Sequence, residues 1–137
     1  MIVNFSKSQL LRGTILIPAW YKASILKLEE KISKDQGSMN HKYTFSVAQP
    51  GRPDDERIEV DHIFNSKAMG RMIPFIVAMT GKKPQEIIDG LASGDFAFDT
   101  ESVIGKELKV HIKNEEYEGT LQNRTDAFIG ADSEEPF

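Results

Sequence analysis

No cysteine occurs in the 137 residues, which excludes disulfides and thiolate metal sites and fits a reducing compartment. No run approaches the roughly 20 apolar residues that span a bilayer. The N-terminus lacks a signal-peptide pattern as well, so no membrane partner is expected. Histidine is scarce, and His41, His62 and His111 stand far apart without metal-ligand spacing. Gly81-Lys82-Lys83 lacks the preceding glycine and the following Ser or Thr of a phosphate-binding loop. Asp54-Asp55-Glu56 reads as a solvated loop, and Glu115-Glu116 as turn residues whose side chains point apart. A nuclease would need a divalent-ion carboxylate cluster, and none assembles from this pattern. The expectation is a protein with no catalytic residue, no metal and no cofactor.

The composition, 39% hydrophobic and 28% charged, suits one domain with a real core. Charge is unevenly placed. The net −4 is mildly unfavourable for a nucleic-acid binder, but three carboxylates crowd Asp132-Ser133-Glu134-Glu135-Pro136-Phe137. Setting aside Asp132, Glu134 and Glu135 leaves 17 Lys and Arg against 18 of the 21 Asp and Glu. A nearly neutral body can still present a basic face, because what matters is where the charges point. Residues 132–137 therefore read as an acidic C-terminal tail on a domain spanning 1–131. Its last residue, Phe137, is a hydrophobe carrying the chain's own carboxylate. Acidic steering around one aromatic anchor is a recipe for docking a partner protein, and a frayed solubilising end is the plainer reading.

Strand patterning dominates both ends of the chain. Gly13 to Ile32 reads as one long strand, or two joined by a bulge. Tyr21, Ala23 and Ile25 keep one parity, and Leu26 and Leu28 take the other. Lys34 to Ser38 is a turn. Tyr43, Phe45 and Val47 alternate with polar residues in the next strand, and Ile58, Val60, His62 and Phe64 do so after a Pro- and Gly-rich loop. Ser66 is placed to cap a helical segment running to Thr80, with Gly81 ending it and Pro74 kinking it or lying in its first turn. Pro84 opens a shorter helix, and Phe96 and Phe98 alternate after it. Leu108, Val110 and Ile112 mark a fourth strand, Glu115 to Gly119 a hairpin turn, and Thr120 to Ile129 a fifth strand. Three strands, a helical insertion and two strands form the element order of the OB-fold, a five-stranded Greek-key barrel with helices between its third and fourth strands. An α+β domain with an antiparallel sheet is the alternative.

If the apolar parity fills the barrel, the opposite parity exposes Trp20, Lys22, Lys42, Arg57, Lys109, His111 and Lys113. Basic side chains track phosphates, and aromatic faces stack bases without regard to sequence. Lys109, His111 and Lys113 make the clearest basic row, whose plain alternative is a solvated strand face. Trp20 and Tyr21 point to opposite sides of a strand. Tyr21 continues the apolar parity, which leaves Trp20 outside, in the groove or capping one end of the barrel. Tyr117 at a loop tip is placed to stack on a base or to pack across its own hairpin, and Arg124 to meet a phosphate.

Together these residues resemble the OB-fold single-stranded DNA-binding proteins encoded by bacteriophages. The likeness rests on Pro18-Ala19-Trp20-Tyr21-Lys22-Ala23 and on the helical insertion ending Met79-Thr80-Gly81. It continues through Gly105-Lys106-Glu107-Leu108-Lys109-Val110 leading to Glu116-Tyr117-Glu118-Gly119, and ends at the acidic tip. The tip departs from the bacterial pattern, since Glu135 stands where a hydrophobe usually precedes Pro-Phe, and no long linker precedes it. The resemblance implies largely sequence-independent binding of single-stranded DNA during phage replication or recombination, in the host cytoplasm. It also implies that Asp132, Glu134, Glu135, Pro136 and Phe137 recruit replication or recombination proteins or compete with DNA. A homo-oligomer stays open. The second reading is a protein-interaction module, OB-like or α+β, that binds no DNA.

Overall fold

The computed structural model describes residues 1–4, 11, 13–35 and 37–136. Five strands form one antiparallel sheet: β1 (Ala19–Ile32), β2 (Met39–Val47), β3 (Ile58–Asn65), β4 (Glu107–Tyr117) and β5 (Thr120–Gly130). Their spatial order is β3-β2-β1-β4-β5. Between β3 and β4 lie a 3₁₀ segment (Ser66–Met72), helix α1 (Ile73–Thr80) and helix α2 (Pro84–Ser93).

The parity switch in β1 is a bulge. Register against β2 shifts between Ile25 and Lys27, so Leu26 is pushed outward while Tyr21, Ala23 and Ile25 stay buried. An extra residue there bends and twists the strand, which lets β1 pair with β2 along one half and with β4 along the other. The strand starts later than the apolar pattern suggests, at Ala19. Just before it, Thr14 and Leu16 are clamped by the Asn123 side chain. The Asn123 amide nitrogen donates to the Thr14 carbonyl at 2.7 Å, and its oxygen accepts from the Leu16 N–H at 2.8 Å.

Two boundaries differ from expectation for local reasons. Ser66 is not the helix cap: its hydroxyl accepts from the Met39 N–H, and the Asn65 side chain accepts from the Lys67 N–H instead. Pro74 sits in the first turn of α1, where a missing N–H is harmless, and Gly81 ends that helix at φ 72°. Glu115 and Glu116 belong to β4 rather than to the turn, which narrows to Glu118 and Gly119 at φ 51° and 78°. Two consecutive positive φ values suit a two-residue hairpin. Phe96 and Phe98 lie in the connection after α2 and form no strand.

The core is aromatic at its centre. Phe75 of α1 packs against Tyr43, Phe45, Phe64 and Phe128 with ring centroids 4.9 to 6.1 Å apart. It thereby seals the space enclosed by the curled sheet. The sheet edges β3 and β5 meet there. His62 Nδ1 lies 2.7 Å from Thr125 Oγ1, and the His62 and Phe64 rings stand 5.3 and 5.8 Å from that of Phe128. The whole is a five-stranded antiparallel sheet with two helices, consistent with an OB-like β-barrel. Among the described residues, no helix is long and apolar enough to cross a membrane.

Candidate nucleic-acid interface

No backbone ladder joins β3 to β5, the outer strands of the sheet order. Their meeting is therefore a seam rather than a pairing, and clefts follow it. One, about 510 Å³, has His62, Phe64, Thr125 and Phe128 in its lining together with Arg71, Lys113, Arg124 and Asp126. A second, about 210 Å³, continues from it through His62, Ile63 and Arg124 to Glu115 and Tyr117. A third, about 380 Å³, extends to the clamped N-terminal segment and is lined by Glu59 and Asp61. The groove is thus basic where it meets the 3₁₀ segment and acidic at the far end.

Local geometry fixes the basic end. Lys113 pairs directly with Arg124 across β4 and β5, and Glu115 lies two residues along the same face as Lys113. The Glu115 carboxylate reaches Arg124 NH1 at 3.2 Å and Lys113 Nζ at 3.6 Å. Arg71 comes from the 3₁₀ segment that follows β3 and makes no ion pair among the described residues. Tyr117, 62% exposed, and Ile63, 56% exposed, offer apolar surface beside these cations. Ile63 also lines a small cleft with Lys42, Asn40, Glu29 and Lys31, which carries the surface across to the β1–β2 hairpin. His62 lies under the groove. Burial, with the Arg124 charge adding to it, pushes its imidazole down to about 4, and a hydrogen bond with the Thr125 backbone opposes this.

The residues expected to bind DNA fall into separate groups. Lys113, Tyr117 and Arg124 come together at the seam. Trp20, Lys22, Lys109 and His111 form a different patch where β1 pairs with β4, with Trp20 opposite His111 and Lys22 opposite Lys109. Trp20 is half-buried there, its ring 5.2 Å from that of His111 in an edge-on arrangement. His111 Nδ1 is 2.7 Å from Asp126, the residue bulged out of β5. Lys42 pairs with Glu29 at 3.5 Å. Arg57 belongs to neither group: its guanidinium donates to the Ser46 hydroxyl at 2.9 Å and to the Ser46 carbonyl at 2.7 Å, tying the start of β3 to the end of β2.

The acidic tail turns back onto the second patch. Ser133 N–H donates to the Gly130 carbonyl at 3.1 Å, and Lys109 Nζ donates to the Ser133 carbonyl at 2.8 Å. Glu135 lies 3.9 Å from the same ammonium. Asp132, Glu134 and Pro136 are exposed, and Phe137 lies outside the described residues. Arg71 and Ile63 are the groove residues that sequence reading missed. Arg71 sits in a stretch whose strong signal is apolar helix, and Ile63 looks like one more strand hydrophobe. Neither can be assigned to a groove until the seam brings β3 and β5 together. Among the described residues no group of His, Asp and Glu could hold a metal ion. No protein-family model matches the chain, and no curated protein sequence matches it.

Proposed function

We propose that this chain is a non-catalytic, largely sequence-independent binder of single-stranded DNA on a Greek-key OB barrel. The strand order β3-β2-β1-β4-β5, with the outer strands in contact, supports that barrel, since it is the order of a five-stranded OB-fold. One observation carries the function: Arg71, Lys113 and Arg124 gather on one groove beside the exposed Tyr117 and Ile63. Phosphates would lie along the three cations while bases stack on Tyr117 and the apolar Ile63 surface, a contact that any base satisfies. The protein would coat strands exposed in phage replication or recombination, in the host cytoplasm. Its tail, resting on Lys109, would compete with DNA or engage partner proteins.

Fluorescence anisotropy of a labelled oligo-dT, with a duplex of the same length as control, tests this reading. The expected outcome is binding of the single strand only, weakening steeply with salt. In that case Arg71→Ala should weaken binding and flatten the dependence of log K on log[salt] by about 0.7, one phosphate contact. Trp20 reports on the groove only indirectly, since it reaches the lining residue Asp126 through His111. Absence of salt-sensitive binding would sink the proposal and bring forward the protein-interaction reading.

A further inference from the structure

The Lys113–Glu115–Arg124 triad has a feature that a simple basic groove does not need. One carboxylate oxygen lies 3.2 Å from Arg124 NH1, and the other lies 3.6 Å from Lys113 Nζ. All three side chains are roughly half-exposed, where such a bridge contributes little to stability. Stability therefore does not account for it well. The carboxylate occupies the place that an anion would take between the two cations, and it presents the same kind of acceptor that a phosphate presents. A strand entering this end of the groove must push Glu115 aside and then tolerate it nearby.

On the reading that the groove binds single-stranded DNA, we infer that Glu115 is a built-in competitor for phosphate that sets the affinity and salt sensitivity of the site. With Glu115 in place the triad carries a net charge of about +1, and without it about +2. An acidic side chain beside a bound phosphate repels it and holds back a counterion. The full electrostatic potential of Lys113 and Arg124 is therefore not delivered to the strand. Weak, quickly reversible contacts at this end would let the protein be displaced from a coated strand, because interface changes act mainly on the dissociation rate.

Glu115→Gln removes the charge and keeps the shape. Glu116→Gln is the matched control: it makes the same change in net charge on the neighbouring residue of β4, whose side chain points to the other side of the strand. Anisotropy titrations of oligo-dT at several salt concentrations, with competition-chase dissociation rates, compare both variants with the parent protein. Thermal melts check that each is folded. The inference expects E115Q to bind about three- to tenfold tighter at low salt, with slower dissociation. Its log K against log[salt] should steepen by up to about 0.7, one further phosphate effectively neutralised, while E116Q leaves both unchanged. Equal gains in E115Q and E116Q would overturn it in favour of net charge alone. Unchanged or weaker binding by E115Q would overturn it too, giving Glu115 the role of bystander or of clamp for the two cations. If no protein in the set binds the strand, the DNA-binding reading itself fails, and the inference with it.

Discussion

His62 shows how a single side chain couples the seam to solution conditions. It is held neutral, its imidazole pushed from 6.5 down to about 4 by burial and by Arg124. The unfolded chain would protonate it near 6.5, so between 6.5 and about 4 the unfolded state binds more protons than the folded one. Stability is accordingly full above 6.5, falls as the pH drops through that window, and levels off below it as far as this group is concerned. A displacement of that size is worth roughly 3 kcal/mol at most. Thermal melts from pH 7 to pH 4.5 should show a falling midpoint in the parent protein and a flatter profile in His62→Gln. Parallel profiles would assign the acid sensitivity to other groups. Occupation of the groove by phosphate would offset the Arg124 charge, so ligand should raise the folded-state value and narrow the window from its lower end.

At the scale of elements, much of the sheet was legible because alternation at period two survives wherever one strand face is buried. Tyr43, Phe45 and Val47, and then Leu108, Val110 and Ile112, are buried as their pattern requires. Even the β1 bulge announced itself as a change of parity at Leu26. What could not be read were contacts set at long range. Asn123 reaching back to Thr14 and Leu16, or Arg71 arriving beside Arg124, depends on which strand edges meet, and no local pattern encodes that. Gly90 was illegible for a nearer reason, the path of the chain just after its helix. It lies inside α2, where glycine costs about 1 kcal/mol relative to alanine, so helix propensity alone predicts that Gly90→Ala stabilises. The structure predicts the opposite. A Cβ at position 90 would stand 2.6 Å from that of Phe96, whose backbone N–H is anchored on the Gly90 carbonyl at 3.0 Å. Either the chain after the helix or Phe96 itself must shift, and overpacking of this kind costs about 1 to 3 kcal/mol. Urea unfolding should show a lower midpoint for Gly90→Ala. A higher one would mean that the connection yields easily.

For the molecule as a whole, the decisive quantity is how a nearly balanced body and a short acidic segment share one electrostatic field. Ser133 and Glu135 meet Lys109 in the β1–β4 patch, and the cationic end of the groove lies at the β3–β5 seam. Direct blockade of the groove is thus not required for the tail to oppose DNA. If the groove binds DNA as proposed, the tail's carboxylates would oppose the strand by cancelling Lys109 and by lowering the potential an approaching strand meets. Long-range effects of this kind are screened over about 10 Å at 0.1 M salt and about 3 Å at 1 M. Deleting residues 132–137 should therefore tighten binding of oligo-dT several-fold at low salt, chiefly through faster association, and the advantage should fade as salt rises. Lys109→Ala with the tail retained separates the two contributions. It frees the segment from its seat but leaves all three acidic side chains in the field, so it should reproduce little of the gain. A gain from truncation that persists at high salt would point to steric cover of the strand's path. No gain at low salt would remove the tail from the binding energetics and leave partner recruitment as its role.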